Sequence, residues 1–427
     1  MLSEKSTYRR ISTFLSVIVI LFLTNFPNIK VLKFQYGELS VNRTLVIIVF
    51  IILIAMSIIK SRRISIKRID IIFYLFILFS MLNFFSISWL ANLVIIIIIP
   101  YIMGSYLFNE VKTETIKNTI MISGLIQSLF ILYSTFINPF QLDISGFKEI
   151  KTSSNGLNEA LLDGRVSGSI GHPVVLGALL LICLVCGFFN ILRQEKIVLS
   201  LLSFILTAIS LTLTYSRGSW ISAAIVILIM LLFVKTKKVF TKEVTAALLI
   251  FILVVSPIGN DIINRFSETS SSDFSVSHRS YMVNWTIDNS TNDLKSFVFG
   301  YGFGGSLDLL DKNSPKDGFP VIDNVFLSNL IDFGLVGLLL FFILLGYSII
   351  INFKEKNKWI HFVLMAIIFN GLTFDFLYWE QMGMITFMIL GLAMNGKKKN
   401  FYEKKPKVIS YYGPNNLAIL FKGSEVK

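Results

Sequence analysis

The chain has 427 residues, of which 54% are hydrophobic and 15% charged, with a mean hydropathy of +0.72. That balance excludes an ordinary water-soluble domain, because no soluble core uses so much apolar sequence. The formal charge of +13 does not point to nucleic acid, since Lys and Arg sit between the apolar runs, where membrane topology accounts for them.

Apolar windows with short polar breaks predict an all-α polytopic membrane protein of about 12 transmembrane helices, each needing about 20 residues to cross about 30 Å of hydrocarbon. The spans fall near 11–28, 41–59, 70–87, 89–108, 118–137, 172–191, 197–214, 218–234, 244–257, 323–352, 359–377 and 381–395. This divides the chain into helices 1–5 (1–137), an extracytoplasmic loop (138–171), helices 6–9 (172–257), a large extracytoplasmic loop (258–322), helices 10–12 (323–395) and a basic tail (396–427). The first run is long, lacks a small-residue cleavage site and precedes many others, so it is expected to stay as a span. The uncharged stretch from Ile71 to Phe108 exceeds one crossing and is split near Ser86-Ile87-Ser88. The stretch after Asp323 is also too long; carrying Asp332 and Gly334, it reads as a short re-entrant or surface helix leading into a full span.

Orientation follows from Lys and Arg in the connections. With the N-terminus inside, segments 1–10, 60–68, 109–117, 191–196, 235–242, 353–358 and 396–427 face inward and carry 27 of the 39 basic residues. That bias predicts both termini in the cytoplasm, with the tail lying against anionic lipid. In the large loop, Tyr281, Met282 and Trp285 share one face of an expected surface helix between Arg279 and Ile287. Beyond it, Gly300-Tyr301-Gly302-Phe303-Gly304-Gly305 marks tight turns, with a phosphate cradle as the alternative.

Cys183 and Cys186, inside an apolar run, imply neither a disulfide framework nor a metal site, and the three histidines are not spaced as a ligand set. No metal and no cofactor are expected. The charged residues beside apolar runs on the outer side carry the chemistry, because arginine at a bilayer edge must snorkel, pair or serve a site. Arg217, in LTLTYSRGSWIS, is fixed at the outer surface by the near absence of a loop; it is an interfacial anchor or a two-pronged phosphate grip. Arg165, in LDGRVSGSIGHP, precedes the sixth span, and Arg279, in SHRSYMVNW, opens the surface helix. Together the three suit a doubly charged pyrophosphate. Asp323-Asn324 starts the tenth span, where Asp323 either caps the helix or acts as a general base on a sugar hydroxyl, with Asn324 contributing to substrate binding. Asp332 lies deeper and requires a partner, with Arg217 or another outward arginine the candidate. His278 is a proton shuttle or substrate contact, or an exposed loop histidine; His172 precedes Pro173 at a helix start, and His361 lies on the cytoplasmic side.

In order, Arg165 with SGSIGHP, TYSRGSW, Arg279 followed by Trp285, GYGFGG and DNVFLSNLIDFGLVG resemble the Wzy-type polysaccharide polymerase and O-antigen ligase superfamily over residues 160–350. The resemblance implies metal-independent, inverting transfer on the outer face of a bacterial cytoplasmic membrane. A glycan on undecaprenyl pyrophosphate is the donor and a sugar hydroxyl of the acceptor glycan attacks, with Arg217 and Arg279 as the clamp and Arg165 contributing. Ligases of this superfamily carry histidine directly before the asparagine where this chain has Asp323. That difference favours a polymerase of O-antigen, capsular or exopolysaccharide repeat units, with a chain-length regulator protein as a further partner. The alternatives are an O-antigen ligase-type transferase and a transporter of lipid-linked oligosaccharide. Transporters show repeats and midplane charges, and this chain shows neither.

Overall fold

The computed structural model describes residues 2–27, 29–34, 37–59, 70–82, 86–106, 108, 111–137, 140–143, 146–149, 165–236, 274–316, 318–354 and 358–394. The expected span at 244–257 and the basic tail lie outside the described residues.

The apolar runs fold as helices because only a helix satisfies every backbone N–H and C=O within one segment in lipid. They are α1 (Leu2–Asn25), α2 (Val41–Ile59), α3 (Asp70–Leu82), α4 (Ile87–Leu93) and α5 (Ile99–Ser105). After these come α6 (Thr113–Phe136), α7 (Pro173–Arg193), α8 (Ile197–Leu213) and α9 (Arg217–Phe233). Three connecting helices follow, α10 (Phe274–Ser290), α11 (Leu294–Phe299) and α12 (Gly305–Lys312), and then α13 (Val325–Lys354), α14 (Lys358–Gly371) and α15 (Glu380–Ala393). Among the described residues, six helical stretches are long and apolar enough to cross a membrane, and five more are apolar but shorter. The protein is therefore a multi-pass membrane protein. Helices stand at eleven of the twelve expected positions.

Two short antiparallel hairpins interrupt the all-helical expectation, β1 (Lys30–Phe34) with β2 (Gly37–Ser40) and β3 (Phe140–Asp143) with β4 (Gly146–Glu149). The split in the long apolar stretch falls where expected, with Ser86 ahead of α4. Between α4 and α5 the chain takes a π-helical turn, Val94–Ile98, just before Pro100, whose missing N–H loosens the hydrogen-bond ladder there.

The α7 helix is almost wholly buried and packs against α6, α8, α9 and α14, while α15 packs on α5. Close approach of α5 and α15 depends on small residues. A Cβ on Gly104 meets the Met388 carbonyl, and one on Gly391 meets that of Tyr101. Cys183 and Cys186 are free and buried in this packing. Ser40 donates to Glu380 at 2.6 Å and Arg43 pairs with the same carboxylate, tying the start of α2 to the start of α15. The pair is almost dry, so losing one partner leaves a buried charge.

In α13, Gly334 breaks the helix at φ 67°, ψ −173°, so a short first piece ends at Phe333 and a long second piece follows. The stretch after Asp323 is thus divided into a short helix and a longer one, as its length and Gly334 predict. The span expected at 359–377 is shorter than its hydropathy suggests: α14 ends at Gly371, and residues 372–379 turn back as a connection.

Candidate functional site

One end of the bundle gathers the starts of α7, α9, α13 and α15. A Cβ on Gly177 of α7 comes within 2.9 Å of the Ser219 hydroxyl of α9. A Cβ on Gly218 collides with Thr373, ahead of α15, and Asn370 donates to Ser219 at 2.9 Å. The Asn324 side chain donates to the Leu372 carbonyl at 3.2 Å, and the His172 and Trp379 rings pack at a tilt with centroids 4.4 Å apart. Neither His172, Ser216 nor Trp379 caps its helix with a side-chain hydrogen bond. The starts of α7 and α9 thus keep their positive ends at one locality, an arrangement that favours an anion, whereas α15 carries Glu380 in its own first turn.

Arg217 adds a cation to the positive end of α9, the disfavoured end for a cation by about 0.3–1 kcal/mol. The turn before it is strained, since Tyr215 sits at φ 50°, uncommon for a bulky residue. Trp220 Nε1, donating to the Leu211 carbonyl at 3.0 Å, and packing of the Tyr215 ring on Trp220 hold the turn. Arg165 docks on the same turn, its Nε donating to the Thr214 carbonyl at 3.2 Å. Its charge acts on both His172 and Asp323. Burial first, and then Arg165, push His172 down to about 4, so its ring is neutral at neutral pH.

Arg279 lies in the first turns of α10, which is longer than expected and buries Met282 and Trp285 as the sequence face predicts. An Arg279 terminal nitrogen lies 3.7 Å from the Asp323 carboxylate, beyond hydrogen-bond length, with the side chains 37% and 31% exposed. Its Nε is buried and has no hydrogen-bond partner among the described residues. Burial raises the Asp323 carboxyl above its ordinary value, while Arg279, then His278 and Arg165, oppose the rise. Asp323 does not cap α13. Asn324 does, its amide oxygen accepting from Phe326 N at 2.9 Å and Leu327 N at 3.3 Å, which leaves the neighbouring carboxylate facing Arg279. The Asn324 amide, expected to touch substrate, is thus engaged at both ends within the chain.

His278 differs from an exposed loop residue. It is 3% exposed, its Nε2 lies 2.9 Å from the Val321 carbonyl and its ring meets Phe319 edge-on, so it secures the strip leading to Asp323.

Asp332 meets no arginine among the described residues. Its carboxylate accepts from the Ser306 amide at 2.7 Å and from the Tyr378 hydroxyl. The amides of the glycine-rich turn are likewise engaged within the protein: Tyr301 N donates to the Ile331 carbonyl at 2.8 Å, Gly302 N to that of Asp332 at 2.7 Å and Gly304 N to the Tyr378 hydroxyl at 3.1 Å. The turn therefore cradles the break in α13 and Asp332, and is not a phosphate cradle.

Sequence reasoning passed over Asn370–Glu380. This strip touches four of the five motifs: Asn370 and Thr373 meet TYSRGSW, Leu372 meets Asn324, Tyr378 the glycine-rich turn and Asp332, and Trp379 His172. It also carries Asp375, buried, accepting from Leu377 N at 3.1 Å and raised to about 7 by burial, with the Asp323 charge adding to the rise. Hydropathy alone hides it, because Phe374, Phe376 and Leu377 continue the apolar run.

Arg217, Arg279, Asp323 and Asn324 all lie within residues 202–342, the stretch matched by the family model Wzy_C, described as O-antigen ligase. A comparison with curated proteins finds no match. The match spans 141 of the 427 residues, and over that stretch the chain is similar to the O-antigen ligase family.

Proposed function

We propose that the protein is a glycosyltransferase that joins lipid-linked oligosaccharide units into a polysaccharide at the outer face of a bacterial cytoplasmic membrane. The observation that carries this reading is the Arg279 guanidinium, which among the described residues has one loose carboxylate contact and a buried Nε without a hydrogen-bond partner, beside Asp323 and a group of uncapped helix starts. A planar guanidinium fork suits a diphosphate, which it grips with paired, charge-assisted hydrogen bonds.

In this reading the donor glycan, held on undecaprenyl pyrophosphate, places its diphosphate among Arg165, Arg217 and Arg279. The acceptor sugar's hydroxyl attacks the anomeric carbon and gives its proton to Asp323 as the new C–O bond forms. The bond from the anomeric carbon to the phosphate oxygen breaks on the opposite side, inverting the centre. Charge gathering on the leaving diphosphate is stabilised by donors already in place, the effect that lowers such barriers most. No metal is required for these roles.

Arg217→Ala and Arg279→Ala are expected to keep the protein in the membrane fraction, to abolish long glycan chains and to leave single repeat units intact on a gel. Lysine at either position restores little, since an ammonium offers no fork. Wild-type ladders from the alanine variants reject the reading. The family description favours a second reading, transfer of finished glycan to a different acceptor. Product analysis separates them: a growing lipid-linked chain marks a polymerase, and glycan on a lipid core or protein marks a ligase.

A further inference from the structure

We propose that Asp323 holds the diphosphate's place on Arg279 in the unloaded enzyme, so that donor binding displaces this carboxylate and frees it to act as the base. The proposal rests on the glycosyl-transfer reading above and adds an order of events to it.

The geometry carries the step. At 3.7 Å the Arg279–Asp323 contact balances charge without making a hydrogen bond, and both side chains remain about a third exposed, so the pair is reachable from water. Asn324 takes over the helix cap, which leaves Asp323 no backbone obligation at the start of α13. A diphosphate offers two charges and several oxygens, and meets the guanidinium at proper hydrogen-bond length with two parallel bonds. It outcompetes a single, long-range carboxylate.

Exchange also changes what Asp323 is able to do. The groups that face it are Arg279 and His278 on α10, Arg165 ahead of α7, and Asp375 in the connection before α15. Once Arg279 turns to the diphosphate, Asp323 loses its nearest cation and gains a neighbouring anion. Both changes raise a carboxylate's affinity for a proton. The base therefore strengthens only when a donor is in place. It takes the proton of the acceptor hydroxyl during transfer and releases it to water after the diphosphate departs and Arg279 returns.

The test is equilibrium binding of inorganic pyrophosphate to the purified full chain in lipid nanodiscs. Removing the competitor tightens binding, so Asp323→Asn is expected to bind pyrophosphate about 5–10-fold more tightly than wild type while losing glycan transfer, the reverse of what a ligand-contacting residue shows. Asp323→Ser gives the same direction and guards against a fault peculiar to the amide. In the Arg279→Ala background the advantage of Asp323→Asn disappears, because the two residues act through one contact. Wild-type binding that depends on Arg217 but is unchanged or weaker in both Asp323 variants overturns the exchange and leaves the glycosyl-transfer reading standing. Failure of wild type and both Asp323 variants to bind pyrophosphate overturns both.

Discussion

Asp323 and Asn324 divide between two adjacent side chains what one residue does at most helix starts. The neutral amide caps α13 and bridges to Leu372, and the carboxylate next to it is left with an arginine. A third acid, Asp375, sits buried close enough for the Asp323 charge to act on it. Its carboxyl titrates near 7 in the folded protein against 3.8 in the reference state. A carboxyl raised in this way supports the fold fully while it is protonated below about pH 4, and that support is lost as pH rises through 7. Asp375→Asn keeps the hydrogen-bonding shape without the charge. Its expected effect is a flatter profile of thermal stability between pH 4 and 8, with a gain over wild type at pH 8 of about 1 kcal/mol or more and no gain at pH 4. Parallel pH profiles for the two proteins disprove the assignment.

The break in α13 and the glycine-rich turn are one structural unit. Gly334 adopts a backbone conformation open to glycine alone, and a Cβ there falls 2.5 Å from the Val298 carbonyl oxygen and the Gly300 nitrogen. Gly334→Ala costs about 1–3 kcal/mol in backbone strain alone and also pushes the turn away from Asp332. Gly346→Ala, in open space on the same helix, is the control and gains about 1 kcal/mol from helix propensity. A detergent thermal-shift measurement showing equal midpoints for the two variants rejects this account of the break. The spans themselves were legible because a run of Ile, Leu, Phe and Val in lipid has one backbone solution. The end of α14 was not, since Phe374, Phe376 and Leu377 are as apolar as the helix before them but pack inside a connection. Asp332 was legible as a buried acid needing a partner, whereas its actual partner, Tyr378, lies 46 residues away, and no local spacing encodes such a contact. The arginines stood out because charge beside an apolar run is costly, while the Asn370–Glu380 strip that joins their motifs works through tertiary contacts alone.

At the scale of the whole molecule, the site requires that every helix starting near it run in the same direction across the membrane. The starts of α7, α9, α13 and α15 are joined by the Gly177–Ser219, Gly218–Thr373, Asn324–Leu372 and His172–Trp379 contacts, so they share one end of the bundle. The α7–α8 turn, with Lys117 buried against Glu195 at 2.5 Å, lies at the opposite end. The bias of Lys and Arg toward the second end supports the proposed orientation, with that end in the cytoplasm and the arginine site outside. Cys183 and Cys186 are buried and unpaired, which leaves a quiet background for thiol labelling in intact cells. Thr291→Cys, just past α10, is expected to react with a membrane-impermeant maleimide, and Lys196→Cys, between α7 and α8, only after the cells are opened. The reverse pattern places Arg165, Arg217 and Arg279 in the cytoplasm, where an outward-facing glycan donor never meets them, and the glycosyl-transfer reading falls with it.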